Sequence, residues 1–312
     1  MSLTHNTEGE PIGFAAFAAK YATEEACYEK LYEVRKEAGF CCPKCGCTDF
    51  YLIKKRKLYQ CKACRHQTSL IVGTAMEGTH LPLKKWFWAM YLAATDKRGV
   101  SALWIQKQLH MAYNSAWFLM QRIRQMMGMR EENYMLMGII SFEDTAIGGA
   151  KPHPVQQSRG RRKARVLVGM SKTAKGYPRY AKFVYVKDLK ANTIRDVTEK
   201  AFEPGAKLEN GACPSYRKHI KEKHLTAFAA QDASKEDLLW LRTVVSNIKL
   251  LFNGTYHGLD ARHMQRYLNE AAYRFNRRKM EDCIFDRLLT AMPGSAHITY
   301  RQLTRGPATV YV

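Results

Sequence analysis

Apolar residues recur along this chain at two different spacings, and the changes of spacing divide it into regions. Between residues 14 and 34 they fall three or four positions apart, which predicts two helices joined by a turn, with Thr23 near the second start. From residue 81 to 127 a helical spacing returns. Ser101 and Asn114 are suitable N-caps for two short amphipathic helices there. The N-terminal part is therefore predicted to be largely helical.

After Arg130 the pattern changes to short apolar runs typical of strands. Three strands, a helix, a strand, a helix and a strand are predicted in that order, followed by two long helices. The runs for these elements are 138–149, 162–171, 179–186, 192–202, 207–210, 214–223 and 224–230, and the long helices cover 235–254 and 262–292. This order predicts a mixed α/β domain.

Six of the nine cysteines lie between Cys41 and Cys64, in two Cys-x-x-Cys pairs that flank a strand-like stretch. Thiolates two residues apart can reach one ion from a tight turn, so four of them can close a tetrahedral shell. Cys41 and Cys47 also lie there, which leaves the choice of ligands open by one residue. The spacing predicts a structural zinc ribbon with Zn²⁺ bound by Cys42, Cys45, Cys61 and Cys64.

The two short helices that follow have the spacing of a helix-turn-helix, in which the second helix enters the major groove. On this interpretation its polar side carries Gln121, Arg122 and Arg124, which are residue types that bind phosphates or base edges. A plain helical bundle with solvated basic residues gives the same pattern. The adjacent zinc ribbon favours the DNA-binding interpretation.

Charge and composition narrow the class of protein. The chain has 50 Lys and Arg against 28 Asp and Glu, a net charge of +22, and 46% hydrophobic residues. Such a chain is globular, and its leading partner is a polyanion, above all nucleic acid. No run of about 18 apolar residues is present, so no membrane partner is expected. We expect an intracellular protein, cytoplasmic and nucleoid-associated in a bacterium or nuclear in a eukaryote.

Candidate chemistry lies in the first strand after residue 130, which carries Glu143 and Asp144 side by side. Either this pair belongs to a metal-binding site or it is the solvated end of a strand. A basic loop follows it, and its cations suit a phosphodiester backbone. The basic residues predicted to bind DNA in this loop are Arg159, Arg161, Arg162, Lys163 and Arg165.

Several motifs together resemble insertion-sequence transposases of the ISXO type. They are CPKCG with YQCKACRHQTSL, GTAMEGTHLPLKKWFWAMYL, the acid-bearing strand that ends IGG, and NIKLLFNGTYHG followed by RYLNEAAYRFNRR. The resemblance implies a zinc ribbon, a helix-turn-helix and an RNase H-like DDE nuclease domain with long C-terminal helices. Active members of the family use two divalent ions, Mg²⁺ or Mn²⁺, held by carboxylates. The resemblance also implies that the partner is double-stranded DNA and that the protein assembles as a homo-oligomer.

All three ligand positions that the resemblance implies depart from the family pattern. Glu143 stands where the family has Asp, and by alternation along a strand Asp144 is expected to face away. Asn210 stands where a second Asp is expected, with Glu209 before it. Arg242, seven residues before Lys249, stands where the family has Asn, His or Glu. A guanidinium is a permanent cation and cannot bind a metal.

Three functional interpretations follow. The first is a domesticated transposase that binds DNA without cutting it. The second is an active metal-dependent enzyme that uses Glu143 and Glu209, with Asp144 or Asp232, in shifted roles. The third is a zinc-ribbon and helix-turn-helix regulator, or a subunit of a nucleoprotein complex with protein partners. In each, Lys249 is a candidate phosphate contact.

The predicted domain organisation has four parts. They are an N-terminal helical segment (1–38), a zinc ribbon (39–75), a helix-turn-helix domain (76–130) and an RNase H-like transposase domain (131–312).

Overall fold

The computed structural model describes residues 12–147, 164–210, 230–232, 238–256, 259–280 and 283–305. The chain forms two compact units. Unit 1 comprises 1–126 and 279–304, and unit 2 comprises 127–278 and 305–312. The described part of the chain has no helix that is both long and apolar enough to cross a membrane.

Unit 1 consists of helices around a small antiparallel sheet. Its first helices follow the predicted pattern, and Thr23 caps the second by accepting the N–H of Ala26 at 3.2 Å. Strands β1, β2 and β3 form one antiparallel sheet in that order. The elements are α1 (Phe14–Lys20), α2 (Glu24–Glu37), β1 (Phe50–Ile53), β2 (Leu58–Cys61), β3 (Gln67–Ser69), α3 (Leu83–Thr95), α4 (Ala102–Leu109) and the first part of α5 (Tyr113–Glu132).

Helices α4 and α5 are separated by three residues. Ser101 caps α4 as predicted and accepts the N–H of Trp104 at 3.2 Å. The prediction that Asn114 caps the next helix is wrong, because α5 already begins at Tyr113. His110 ends α4 in the left-handed conformation, with φ of 45°, which turns the chain sharply enough for the earlier start.

Unit 2 is built on a mixed five-stranded sheet of order β6-β5-β4-β7-β8. β4 pairs antiparallel with β5 and parallel with β7, so α6 provides the crossover between parallel strands. This confirms the predicted mixed α/β architecture. The elements are β4 (Ile139–Ile147), β5 (Ala164–Lys172), β6 (Pro178–Val186), α6 (Ala191–Ala201), β7 (Lys207–Asn210), β8 (Ala230–Asp232), α7 (Leu239–Gly254) and α8 (Met264–Asn276). The helix predicted at 214–223 lies outside the described residues.

Two apolar layers cover the sheet. On one face Ile140, Phe142 and Leu208 pack with α6. On the other, Val168 and Ile147 pack with α7 and α8. Because side chains alternate along a strand, this assignment fixes which polar residues of β4 and β7 point toward α7.

The predicted long helix over 262–292 is wrong, since the structure divides it into α8 and α9 (Ile284–Ala291), which lie in different units. The Asn276 side chain bonds both the N–H and the C=O of Ala181 on the edge strand β6, at 2.7 and 3.0 Å. The Arg278 guanidinium donates to the carbonyls of Pro178 and Arg179. The polar residues that periodicity assigns to a continuing solvated face are instead bound to the sheet. A last helix, α10 (Tyr300–Arg305), follows.

Candidate metal centre and carboxylate centre

The four predicted zinc ligands converge in unit 1. One sulfur each from Cys42, Cys45, Cys61 and Cys64 lies within 4.8 Å of all the others, and two of the S···S distances are 3.5 and 3.6 Å. Cys41 and Cys47 are not part of this cluster, because their thiols lie near the carbonyls of Gly46 and Asp49. The open choice of ligands is thereby resolved in favour of the four predicted cysteines.

The two knuckles that present these thiols repeat one backbone pattern. Gly46 donates its N–H to the carbonyl of Cys42 at 2.9 Å, and Arg65 donates to the carbonyl of Cys61 at 3.1 Å. Both donors have positive φ, 74° for Gly46 and 59° for Arg65. Glycine adopts this conformation without strain, whereas for arginine it costs about 1–2 kcal/mol. The second knuckle therefore keeps the zinc-binding geometry despite its sequence.

The thiol chemistry fits a zinc ion. The backbone N–H of Cys64 lowers the pKa of Cys61 to about 6. Although the backbone N–H of Cys47 lowers it, the pKa of Cys45 is raised to about 12, mainly by the thiol of Cys64 and by burial. Thiolates this close repel one another unless a cation lies among them, and Zn²⁺ with four sulfur ligands meets that need. The site binds structural Zn²⁺, which closes the fold of the ribbon.

The carboxylate centre is formed on the face of the unit 2 sheet that α7 covers. Glu143 lies on β4 opposite Val168 of β5, and by strand alternation its side chain points to the α7 face. Asp144 follows the alternation of Phe142 and points to the other face. The two neighbouring acids therefore do not share one side of the sheet, as the sequence predicts.

Two cations of α7 interact electrostatically with the carboxyl group of Glu143. Burial raises the pKa of the Glu143 carboxyl, and the neighbouring charge of Asp144 raises it further, while the positive charges of Arg242 and Lys249 oppose the shift. Arg242 and Lys249 lie seven residues apart, about two helical turns, so they project from the same flank of α7. The flank that meets Glu143 is thus cationic.

Glu209 has a partner that the sequence does not reveal. It is one residue before the end of β7, opposite Ser141, whose hydroxyl donates to it at 3.3 Å. The ammonium group of Lys172, at the end of β5, lies 2.5 Å from the same carboxylate, and both side chains are almost fully buried. Lys172 and Ser141 were missed because nothing in their local sequence marks them; β5 and β7 meet β4 only in the folded sheet.

Asn210 ends β7 and pairs through its backbone with Phe142; its side chain, like that of Asp232, is outside the described part. Of the predicted DNA-binding cations in the loop after β4, Arg165 lies on β5 and is exposed. The loop residues Arg159, Arg161, Arg162 and Lys163 lie outside the described residues. Arg242 is exposed and Lys249 half-buried.

The expectation that Gln121, Arg122 and Arg124 lie on an exposed polar face of α5 is wrong, because each is at most 3% exposed. Arg122 donates to the carbonyl of Glu77 at 2.9 Å and lies over the ring of Phe118, and Arg124 donates to the carbonyl of Val100 at 3.2 Å. This part of α5 is packed on nearly all sides within unit 1. Periodicity assigns such residues to solvent, whereas backbone carbonyls here serve as their acceptors.

Two protein-family models match the chain. The model described as ISXO2-like transposase domain matches residues 135–276, and the model described as transposase zinc-ribbon domain matches residues 22–67. No curated protein and no solved structure matches the chain significantly. The zinc-ribbon match contains all four cysteines of the metal cluster, and the transposase match contains β4, β7 and α7, which carry the carboxylate centre. Residues 22–67 and 135–276 therefore carry the zinc-ribbon and transposase domains of the ISXO2-like transposase family.

Proposed function

We propose that this protein binds double-stranded DNA and that its carboxylate centre does not cleave it. The transposase family and its zinc ribbon support DNA binding, as does a net charge of +22. The inactive centre is supported by the residues around Glu143. Arg242 and Lys249 supply two positive charges where two-metal catalysis needs oxygen ligands.

The second carboxylate on this face is also engaged. Glu209 forms a buried ion pair with Lys172, so a divalent ion would have to displace an ammonium group to reach it. Asp144 points to the opposite face of the sheet and cannot replace Glu209 as a metal ligand without a change of strand register. Glu143 alone gives one carboxylate, and burial favours its neutral form.

For unit 1 we propose a helix-turn-helix within residues 76–130 in which the start of α5, rather than its middle, meets DNA. Tyr113 and Asn114 begin α5 and are exposed, and Lys107 and His110 are exposed on and just after α4. Recognition helices contact base edges with their N-terminal residues, which agrees with this placement. Zinc-ribbon cations such as Lys62 and Arg65 are exposed as well and suit phosphate contacts.

We also propose that the protein assembles as a homo-oligomer on paired DNA sites. A protein partner in a nucleoprotein complex is proposed as well. Footprinting distinguishes the uses of the bound DNA, because protection of terminal inverted repeats indicates transposition, whereas protection of promoter sites indicates a regulator.

The proposal is tested by following DNA binding and DNA cleavage in parallel. Duplex binding is measured by fluorescence anisotropy over a range of salt concentrations, and strand cleavage and joining are measured on the same duplex with Mg²⁺ or Mn²⁺. We expect salt-dependent binding without cleavage. Metal-dependent cleavage that is lost in Glu143→Gln contradicts the proposed inactive centre but not the proposed DNA binding. Absence of binding at low salt contradicts the whole proposal.

A further inference from the structure

Two exposed aromatic rings meet beside the sheet of unit 2. The side chains of Tyr177 and Trp240 are 57% and 39% exposed, and their ring centroids lie 6.1 Å apart with the planes inclined by 59°. Large aromatic side chains in contact with each other usually bury most of their area. A pair left open to solvent is a candidate contact surface.

The fold holds both rings in place. Tyr177 lies in the turn between β5 and β6, where Thr173 donates its N–H to the carbonyl of Tyr177 at 2.8 Å and Gly176 adopts φ of 81°. Trp240 lies in the first turn of α7, next to Leu241, which is fully buried. Neither ring depends on a free loop for its position.

Among the residues that the structure describes, those around the pair are cationic. Residues 172–180, around the turn, include Lys175 and Arg179 and no acidic residue, and the sequence of α7 also has no acid. Lys175 and Arg179 are exposed, and the Arg179 guanidinium lies 5.3 Å from the ring centre of Tyr180. A second copy of this chain would bring further positive charge to the surface. A nucleic-acid strand instead offers phosphates for the cations and base faces for the rings.

The geometry also limits how a base can bind. A base inserted between the rings would need about 7 Å between their planes, since stacked carbon atoms lie about 3.5 Å apart. The centroids of Tyr177 and Trp240 are closer than that. A base therefore stacks on an outer ring face. Paired bases inside a duplex have both faces covered by their neighbours, so away from duplex ends the free face comes from an unpaired base.

We propose that Tyr177 and Trp240 form a stacking platform for an unpaired base of a DNA strand, with Lys175 and Arg179 at its flanking phosphates. The platform is distinct from the carboxylate centre, because Arg242 and Lys249 project from a different flank of α7 than Trp240. The proposal rests on the proposed DNA binding and adds a preference for DNA that carries an unpaired segment.

The experiment compares three probes of equal duplex sequence in the full-length, zinc-loaded protein. One duplex is blunt, one has a short thymidine overhang, and one has an overhang of abasic sugars. The wild-type protein is expected to prefer the thymidine overhang over both others. Trp240→Ala is expected to weaken binding of that probe about tenfold, within the range for one stacked base. Binding of the blunt duplex should change less than about twofold.

Two further variants separate stacking from folding. Trp240→Phe keeps an aromatic face and should retain most of the preference. Tyr134→Ala is the matched control, because Tyr134 is 45% exposed in the same unit and has a cation nearby, the guanidinium of Arg130 at 5.5 Å from its ring centre. It should leave all three affinities unchanged.

The possible failures are distinguishable. If the wild-type protein binds the blunt duplex but shows no preference for the thymidine overhang, the platform is wrong while DNA binding stands. Equal loss of all affinities in Trp240→Ala also overturns it. If that variant instead abolishes self-association in sedimentation experiments without affecting overhang binding, the rings belong to an interface between copies. If no probe binds, both proposals fall.

Discussion

The cysteine cluster of unit 1 and the carboxylate centre of unit 2 both draw metal-ligand residue types together, but only the first collects them around one point. Four sulfurs lie within 4.8 Å of one another on two knuckles with the same backbone hydrogen bonds. In the second, Glu143 faces two cations, Glu209 is paired with Lys172, and Asp144 points away.

The two centres depend on the fold in different ways. A Cys-x-x-Cys knuckle sets the position of two ligands within one turn, so its geometry is local. The carboxylate centre takes one residue from each of several elements, and any cation on a neighbouring element can occupy the space between them. A cluster of like negative charges attracts a metal ion, whereas carboxylates whose charge is already compensated by neighbouring cations do not.

The largest expected effect is at the cysteine cluster. Cys61→Ser removes one of four thiolates, so zinc content should fall from about one per chain to a small fraction and the ribbon should unfold. Zinc released by denaturation, measured with a chromogenic chelator, and thermal unfolding report the two effects. Cys41→Ser is the control, because its thiol is next to Cys42 but outside the cluster. Full zinc occupancy in Cys61→Ser would refute the assigned ligand set.

At the carboxylate centre, Lys172→Met leaves Glu209 as a buried charge without its partner. We expect the free energy of unfolding to fall by about 3–5 kcal/mol at neutral pH. Adding Glu209→Gln should recover much of this loss, because no uncompensated charge then remains. Arg262→Ala is the surface control, since its pair with Asp260 is about half exposed and should contribute less than about 1 kcal/mol. Chemical denaturation measures all four proteins.

Replacing Arg242 with a neutral residue tests whether its positive charge prevents a metal ion from binding at the carboxylate centre. Arg242→Gln should strengthen Mn²⁺ binding by about tenfold, which corresponds to about 1.4 kcal/mol. Electron paramagnetic resonance of free Mn²⁺ measures the affinity. The half-buried Arg195 of α6 gives a control variant, Arg195→Gln, with no expected change. Submicromolar Mn²⁺ binding by the wild-type protein would remove the contrast between the two centres.

Because the geometry of the zinc ribbon is set locally, relieving the backbone strain at Arg65 should stabilise the ribbon. Arg65→Gly places glycine where φ is 59°, as Gly46 does in the other knuckle, and should raise ribbon stability by about 1 kcal/mol. Resistance of bound zinc to a competing chelator is the measurement. Lys62→Gly, in the same knuckle, should not increase it. A less stable Arg65→Gly protein would indicate that the arginine side chain contributes more than its backbone strain costs.

The smallest expected effect concerns pH and Glu143. Because burial raises the pKa of Glu143, ionisation is less favourable in the folded chain, so this residue's contribution to stability is present at low pH and is lost as pH rises through its folded pKa. Glu143→Gln should therefore raise the free energy of unfolding at pH 7 by about 0.5 kcal/mol or less, as measured by thermal unfolding of the variant and the wild type. The difference should vanish below the ordinary glutamate pKa of about 4.3. A gain that increases toward low pH would contradict the assigned direction.

Features that depend on neighbouring residues could be predicted from the amino-acid sequence alone. Cysteine spacing predicted the zinc ligands, Thr23 and Ser101 were predicted as caps, and alternation along β4 placed Glu143 and Asp144 on opposite faces. The run of strands and helices predicted the mixed sheet. In each case the partners are a few residues apart or share one strand, where backbone geometry fixes their relation.

Other features of the fold and of the carboxylate centre arise only when distant parts of the chain pack together. It buried Gln121, Arg122 and Arg124 in α5, divided the predicted final helix at Arg278, and brought Lys172 to Glu209. Periodicity records that a side chain is polar but not which element lies beside it, and a buried cation needs only a carbonyl or a carboxylate from elsewhere in the chain. The cationic surroundings of Glu143 arise in the same way, because α7 contacts β4 only once the sheet and its covering helices have packed.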